Sequence, residues 1–240
     1  MPASHFILMI ESDARRSEML ATQLVRLGVE PIRVADLAEA VDTVKSKQYA
    51  FGALLLPVEL PPKLVHKALK SMRRREPVLP AMAYGKAPNE SQASQLRRAG
   101  VMLALWDGYD EALLRFQINR LVAGDTQSAS RESRRAPVHF PVRIAVGGRE
   151  KVGMIESLSE GGCFIETPRA SMDGARLRLH FEIEGNIFEL DGIVVFANVP
   201  GNLQRPNLPL GMGVRWQNLS AGDRTAVAEI VRDRMRALEV

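Results

Sequence analysis

Up to about residue 123, short apolar runs alternate with amphipathic stretches. The run His5–Ile10 predicts a buried strand, and Leu20, Leu24 and Leu27 at helical spacing predict the helix that follows it. Glu30–Val34 reads as a second strand. Asp36 then caps a helix, with Glu39 three residues on as its capping-box partner. Phe51–Leu56, Val78–Ala83 and Val101–Leu105 complete five strands, separated by helices over Leu60–Arg75 and Ser91–Ala99 and followed by one near Tyr109–Val122. Strands alternating with helices predict a parallel sheet covered on both faces.

The pattern breaks at Gly124, where a polar stretch without periodicity reads as a linker over residues 124–137. Beyond it the texture is all-β. Val138–Val146, Lys151–Ser157, Cys163–Thr167, Leu177–Ile183, Ile187–Asn198 and Leu210–Trp216 are strand candidates punctuated by Gly, Pro and Asn. A closing helix starts at Ser220, with Asp223 three residues on, and carries Val227, Ile230, Val231 and Leu238 on one face. The expected organisation is an α/β domain over 1–123, the linker, and a small antiparallel β-barrel with a packed helix over 138–240.

Composition narrows the function classes. The chain of 240 residues carries 32 Lys+Arg against 28 Asp+Glu, a net charge of +4. The excess does not concentrate in either half: 17 against 14 up to Asp125, and 15 against 14 after it. Neither half is a polycation, which disfavours nucleic acid as a partner. The early apolar run Phe6–Ile10 is far too short to span a membrane and lacks the flanks of a signal peptide. A lone cysteine, Cys163, leaves no internal disulfide and fits a reducing compartment, so a cytoplasmic protein is expected. The histidines His5, His66, His139 and His180 have no metal-ligand spacing, and no nucleophile–base pair stands out. A non-enzymatic protein without a cofactor is expected. Arg73-Arg74-Arg75 reads as a solvated helix end, since three neighbours cannot share one helical face.

Two stretches resemble known families. Ile7-Leu-Met-Ile-Glu-Ser-Asp13 and Leu54-Leu-Leu-Pro-Val-Glu-Leu-Pro61, with Ala99-Gly-Val101, resemble the receiver domain of two-component response regulators over residues 5–123. The resemblance implies a five-stranded parallel α/β sandwich, with its phosphorylation chemistry largely removed. Pro57 stands at the acceptor position and has no nucleophile. Glu11 remains from the acidic pair, but Ser12 replaces its neighbour, which removes carboxylate oxygens that Mg²⁺ would need. Ala83, or Tyr84, stands where the family has Thr or Ser, and Asp107-Gly108 matches its Lys-Pro pair. The expectation is a folded module that docks a protein partner or another copy of itself.

In the second half, Arg131-Glu-Ser-Arg-Arg135-Ala-Pro-Val resembles the RxxxR entry of PilZ domains, and Ser157-Leu-Ser159-Glu-Gly-Gly162 their (D/N)xSxxG motif. Gly211-Met-Gly213-Val-Arg-Trp216 and the closing helix match the family's usual ending, so the resemblance spans roughly 131–238. It implies a six-stranded antiparallel barrel with a C-terminal helix and a receptor for cyclic di-GMP. The residue types suit that ligand, because an arginine fork can hold phosphodiester oxygens, donate to guanine O6 and N7, or stack on a base. By resemblance, Arg131 and Arg135 contact phosphate and guanine, with Ser157, Ser159 and Gly162 as the opposite wall and Arg134 as an additional cation. Ser157 stands where the family has Asp or Asn. A neutral hydroxyl in that place weakens binding by roughly 1–2 kcal/mol, about five- to thirty-fold. The expected function is a cyclic di-GMP-responsive effector or adaptor. The alternative is a scaffold whose barrel no longer binds the ligand.

Overall fold

Every central strand of the first half is an unbroken apolar run, because helices cover both faces of the sheet it joins. The computed structural model describes residues 6–128 and 134–240. Its chain divides into two units, Met1–Gln127 with Leu238–Val240, and Ser128–Ala237. The first unit runs β1 (Phe6–Ile10), α1 (Ala14–Arg26), β2 (Glu30–Val34), α2 (Leu37–Lys45), β3 (Phe51–Pro57), α3 (Pro62–Met72), β4 (Ala81–Gly85), α4 (Glu90–Ala99), β5 (Leu103–Trp106) and α5 (Glu111–Ser128). Its strands form one parallel sheet in the order β2-β1-β3-β4-β5. Leu8, Ile10, Leu54 and Leu56 pack on one side of the sheet, and Ile7, Met9, Ala53 and Leu55 on the other. As expected, Asp36 caps α2, accepting from Ala38 and Glu39 N–H, while Glu39 reaches back to the Ala35 N–H at 2.7 Å.

Several boundaries differ from the sequence reading, each for a local reason. β4 starts at Ala81, not Val78: Pro80 has no N–H to donate, and the Leu79 carbonyl is taken by the Arg73 guanidinium. Arg73 also donates to the Gly100 carbonyl at 3.0 Å, so it ties α3 to the turn after α4 and is not part of a solvated helix end. Burial holds its pKa below the usual arginine value. Arg74 and Arg75 are exposed. β5 starts at Leu103, not Val101, because Val101 completes the cap of α4: its N–H donates to the Leu96 carbonyl while Gly100 takes the left-handed conformation at φ 96°. Helix α5 continues to Ser128 through residues expected to be linker, since an established helix gains one hydrogen bond for each residue added and no proline stops it. Leu238–Val240, expected in the barrel, complete the first unit instead. Glu239 bridges Leu103 in antiparallel sense, Ala104 N–H donates to the Leu238 carbonyl, and the buried Gln117 amide donates to the Ala104 and Leu238 carbonyls.

The second unit contains β6 (Arg135–Val146), β7 (Arg149–Ser159), β8 (Gly162–Glu166), β9 (Arg176–Ile183), β10 (Asn186–Val199), the short β11 (Asn202–Leu203), β12 (Gly211–Gln217) and α6 (Ala221–Arg236). The sheet order is β11-β10-β12-β8-β7-β6-β9, and β9 pairs back onto β10, closing six antiparallel strands into a barrel. Alternation fills it: Leu158, Cys163, Ile165, Leu179, Phe181, Val194, Val214 and Trp216 are all buried. Pro137 and Pro141 lie on β6 ahead of Val142–Ala145, where that strand pairs on both sides, so neither proline interrupts a double ladder. Strand β6 starts at Arg135, three residues earlier than expected. Helix α6 packs on β6 and β7 through its buried Val227, Ile230, Val231 and Met235. Ser220 caps it by accepting from the Asp223 N–H at 3.0 Å. Leu238 lies past the helix end and takes no part in that face.

Candidate functional site

In the first unit the Glu11 carboxylate is engaged from within. Glu11, at the end of β1, is 8% exposed. Its Oε1 accepts from the Asp13 N–H at 2.9 Å. Its Oε2 lies 2.9 Å from the Tyr84 hydroxyl and 3.3 Å from Nε of Arg16. The Tyr84 hydroxyl proton is shared between that carboxylate and the Ile10 carbonyl, 2.6 Å away. Burial first, then the Glu11 charge, drives the Tyr84 pKa far above its ordinary value, so the phenol stays neutral and keeps donating. Arg16 lies over the Tyr84 ring, 5.7 Å from its centroid, and reaches Glu59 at 3.9 Å. Pro57 is the β3 partner of Tyr84 in the ladder. Tyr84 and Arg16 thus share Oε2, and the Asp13 amide takes Oε1. Among the described residues, no group of three or more His, Cys, Asp or Glu is placed to hold a metal ion.

In the barrel, the ladder gathers the sequence-predicted residues into two adjacent rows. Arg135 is the Cα partner of Ser159, Ser159 of Gly162, and Gly162 of Arg215. One step along, Pro137 pairs with Ser157, Ser157 with Phe164, and Phe164 with Gly213. Directly opposed residues of an antiparallel pair share a face. Both rows therefore lie on the outer face, because the intervening Leu158, Cys163 and Val214 point into the core. A bulge at Glu156, where β7 gains a residue over β8, puts Ser157 opposite Phe164.

The residues around that face also serve the fold. Ser159 is 3% exposed, and its hydroxyl donates to the Gly162 carbonyl at 3.0 Å across the two-residue turn Glu160-Gly161. Trp216 clamps the same turn from β12: its indole N–H donates to the Ser159 carbonyl at 3.1 Å, and its backbone N–H to the Gly161 carbonyl at 3.1 Å. A Cβ on Gly162 would lie 2.0 Å from the Val214 carbonyl oxygen. Close approach of strand β12 thus fixes this glycine. Cys163 is fully buried, and burial raises its thiol pKa well above the usual range, against a smaller opposing effect of the Arg135 charge.

Comparison with known proteins matches the PilZ domain family to residues 129–233. These residues are a PilZ domain. No curated protein matches the chain. Among solved structures, the PilZ domain with c-di-GMP of YcgR from Escherichia coli is 15% identical, with a TM-score of 0.36, over 45% of this chain and 92% of that one. The Bacillus subtilis inhibitor of motility is 19% identical, with a TM-score of 0.37; the match covers 45% of this chain and about half, 51%, of that protein. The N-terminal region matches receiver structures. One is the receiver domain of a sensor histidine kinase from Pseudomonas aeruginosa, 22% identical with a TM-score of 0.44, over 51% of this chain and all (100%) of that one.

Within the PilZ domain, the expected site residues differ in how far their chemistry is already spent. Arg131 lies outside the described residues. Arg134 is exposed and Arg135 half-buried at the start of β6, and both already make polar or electrostatic contacts. Ser157 is half-buried, and its hydroxyl makes no hydrogen bond among the described residues. Ser159 has given its proton to Gly162 but keeps acceptor lone pairs. The sequence reading missed Trp216 as the clamp of the turn and Arg215 as the far end of the Arg135 row. Strict alternation of Met212, Val214 and Trp216 inward was the available signal for Arg215 outward.

Proposed function

We propose that the PilZ domain is a cyclic di-GMP receptor whose ligand lies on the outer face of β6–β7–β8, held by Arg131, Arg134 and Arg135 with Ser157 and Ser159 beside it. The observation that carries this reading is the ladder row itself. It sets the second arginine of the entry motif directly opposite the serine of the second motif, on one face with Ser157. Two phosphodiester charges and two guanines call for forked cations next to small hydrogen-bonding groups, and this face offers both. The protein acts as a regulatory adaptor in the cytoplasm, not as an enzyme, and its receiver-like unit docks a protein partner or a second copy.

The receiver-like unit is a docking module without phosphotransfer. Pro57 offers no nucleophile, and the Glu11 oxygens are engaged by Asp13, Arg16 and Tyr84. Incubation with acetyl phosphate and Mg²⁺ is expected to leave the intact mass unchanged. An acid-labile adduct of one phosphoryl group on the first unit would overturn this part of the reading. Among the described residues no helix is long and apolar enough to cross a membrane.

One observation favours the alternative, a scaffold that no longer binds the ligand: Ser159 and Gly162 are fully accounted for by the fold, so their presence does not require a ligand. Calorimetric titration with cyclic di-GMP of wild type and Ser157→Asn separates the two. The amide restores a stronger acceptor without placing a negative charge beside a dianion. The receptor reading expects wild type to bind and the variant to bind about five-fold tighter, a gain of roughly 1 kcal/mol. A silent wild type with a binding Ser157→Asn variant supports the scaffold. If both are silent and folded, the receptor reading falls.

A further inference from the structure

We infer that Arg215, on β12, is a further ligand-binding residue of the PilZ face, a cation that meets the nucleotide from the side opposite Arg135. This rests on the proposal that the face binds cyclic di-GMP. Arg215 belongs to neither short motif at 131–135 or 157–162, and its place follows from the barrel alone.

Four observations converge on it. By register, Arg215 is the last member of the row Arg135–Ser159–Gly162–Arg215, so it stands on the same outer face three strands away. The barrel wall curves between them, so their Cα positions are closer than the roughly 14–15 Å that three flat interstrand spacings would give, and each long side chain can fold over Ser159 and Gly162 from its own side. Its neighbours Val214 and Trp216, 2% and 7% exposed, point into the barrel and force Arg215 outward, where it is exposed. Between Arg215 and Ser159 stands only Gly162, which can carry no side chain because β12 presses on it. The row therefore runs cation, hydroxyl, bare backbone, cation.

The fourth observation is that its charge is unused. Some arginines of this unit are committed to ion pairs, Arg178 with Asp191, Arg234 with Glu184 and Arg236 with Asp233, whereas others, such as Arg143 and Arg176, are not, among the described residues. Arg215 has no ion pair, hydrogen bond or ring contact among the described residues. An uncommitted guanidinium at one end of a row with an arginine at the other end fits a ligand bearing two separated negative charges. Cyclic di-GMP carries its two phosphodiesters on opposite sides of one ring. Arg135 and Arg215 would each take one.

Titration of the full chain with cyclic di-GMP, at low and moderate salt, tests this in wild type, Arg215→Ala and Arg215→Lys. The side chain is exposed, so both variants should keep the wild-type melting profile. Arg215→Ala is expected to bind about ten-fold more weakly and to show a shallower salt dependence, with Arg215→Lys recovering part of the loss. If wild type binds and Arg215→Ala matches it within two-fold with the same salt slope, Arg215 has no part in the site, and the receptor reading stands without it. If neither wild type nor Ser157→Asn binds, the receptor reading falls and this inference falls with it.

Discussion

Gly162→Ala is expected to destabilise the PilZ domain by about 3 kcal/mol or more in denaturant unfolding, the largest stability effect of any small substitution in the candidate site. The added methyl would sit 2.0 Å from the Val214 carbonyl oxygen and 3.1 Å from the Arg215 Cα. Both are backbone atoms of a neighbouring strand, so no rotamer change relieves the overlap. The ladder between β8 and β12 must open, and with it the hydrogen bonds from Trp216 to the Ser159 and Gly161 carbonyls. This outcome separates two explanations of the same motif glycine. If Gly162 served only to admit a ligand, the alanine variant would unfold like wild type and lose affinity alone. An unfolding free energy within about 0.5 kcal/mol of wild type would contradict the packing explanation.

Arg135→Ala is expected to have the largest effect on binding, with a loss of about 1.5–3 kcal/mol, roughly ten- to 150-fold in affinity for cyclic di-GMP. A charge-assisted fork on a phosphodiester or a guanine edge disappears, and the remaining contacts cannot replace it. Arg135→Lys should recover only part, since an ammonium neither forks nor stacks. The fold should tolerate both changes, because Arg135 is half-buried at the start of β6 and leads into a strand held by Ala136, Val138 and Val142. Arg131→Ala is expected to behave in the same direction. Unchanged affinity in Arg135→Ala would move the site away from this face.

Much of the architecture was legible because it is written in short-range periodicity. The run Phe51–Leu56 could only be a strand buried on both faces, and alternation along Leu177–Ile183 marked one barrel wall. The missed features all depend on partners distant in sequence. Arg73 looks like one of three surface arginines until Leu79 and Gly100 fold back onto it. Leu238 carries the right spacing to extend the face of α6, yet residues 238–240 join the edge of β5 through Gln117 and Leu103. Tyr84 gives no local hint that its hydroxyl will meet Glu11 across 73 positions of chain. In the candidate site, the motif residues were visible but their division of labour was not. Spacing cannot tell a glycine required by β12 from one required by a ligand, and it cannot show that Arg215 ends the row that Arg135 begins.

Backbone amide mapping by nuclear magnetic resonance, with cyclic di-GMP added to saturation, tests the central claim most directly. It reports both whether the nucleotide binds and where. Perturbed amides are expected at Arg134–Ala136, Ser157–Gly162 and Val214–Trp216, the segments that carry the Arg135–Ser159–Gly162–Arg215 row. No perturbation at millimolar nucleotide, or perturbation confined to other faces of the barrel, would contradict it.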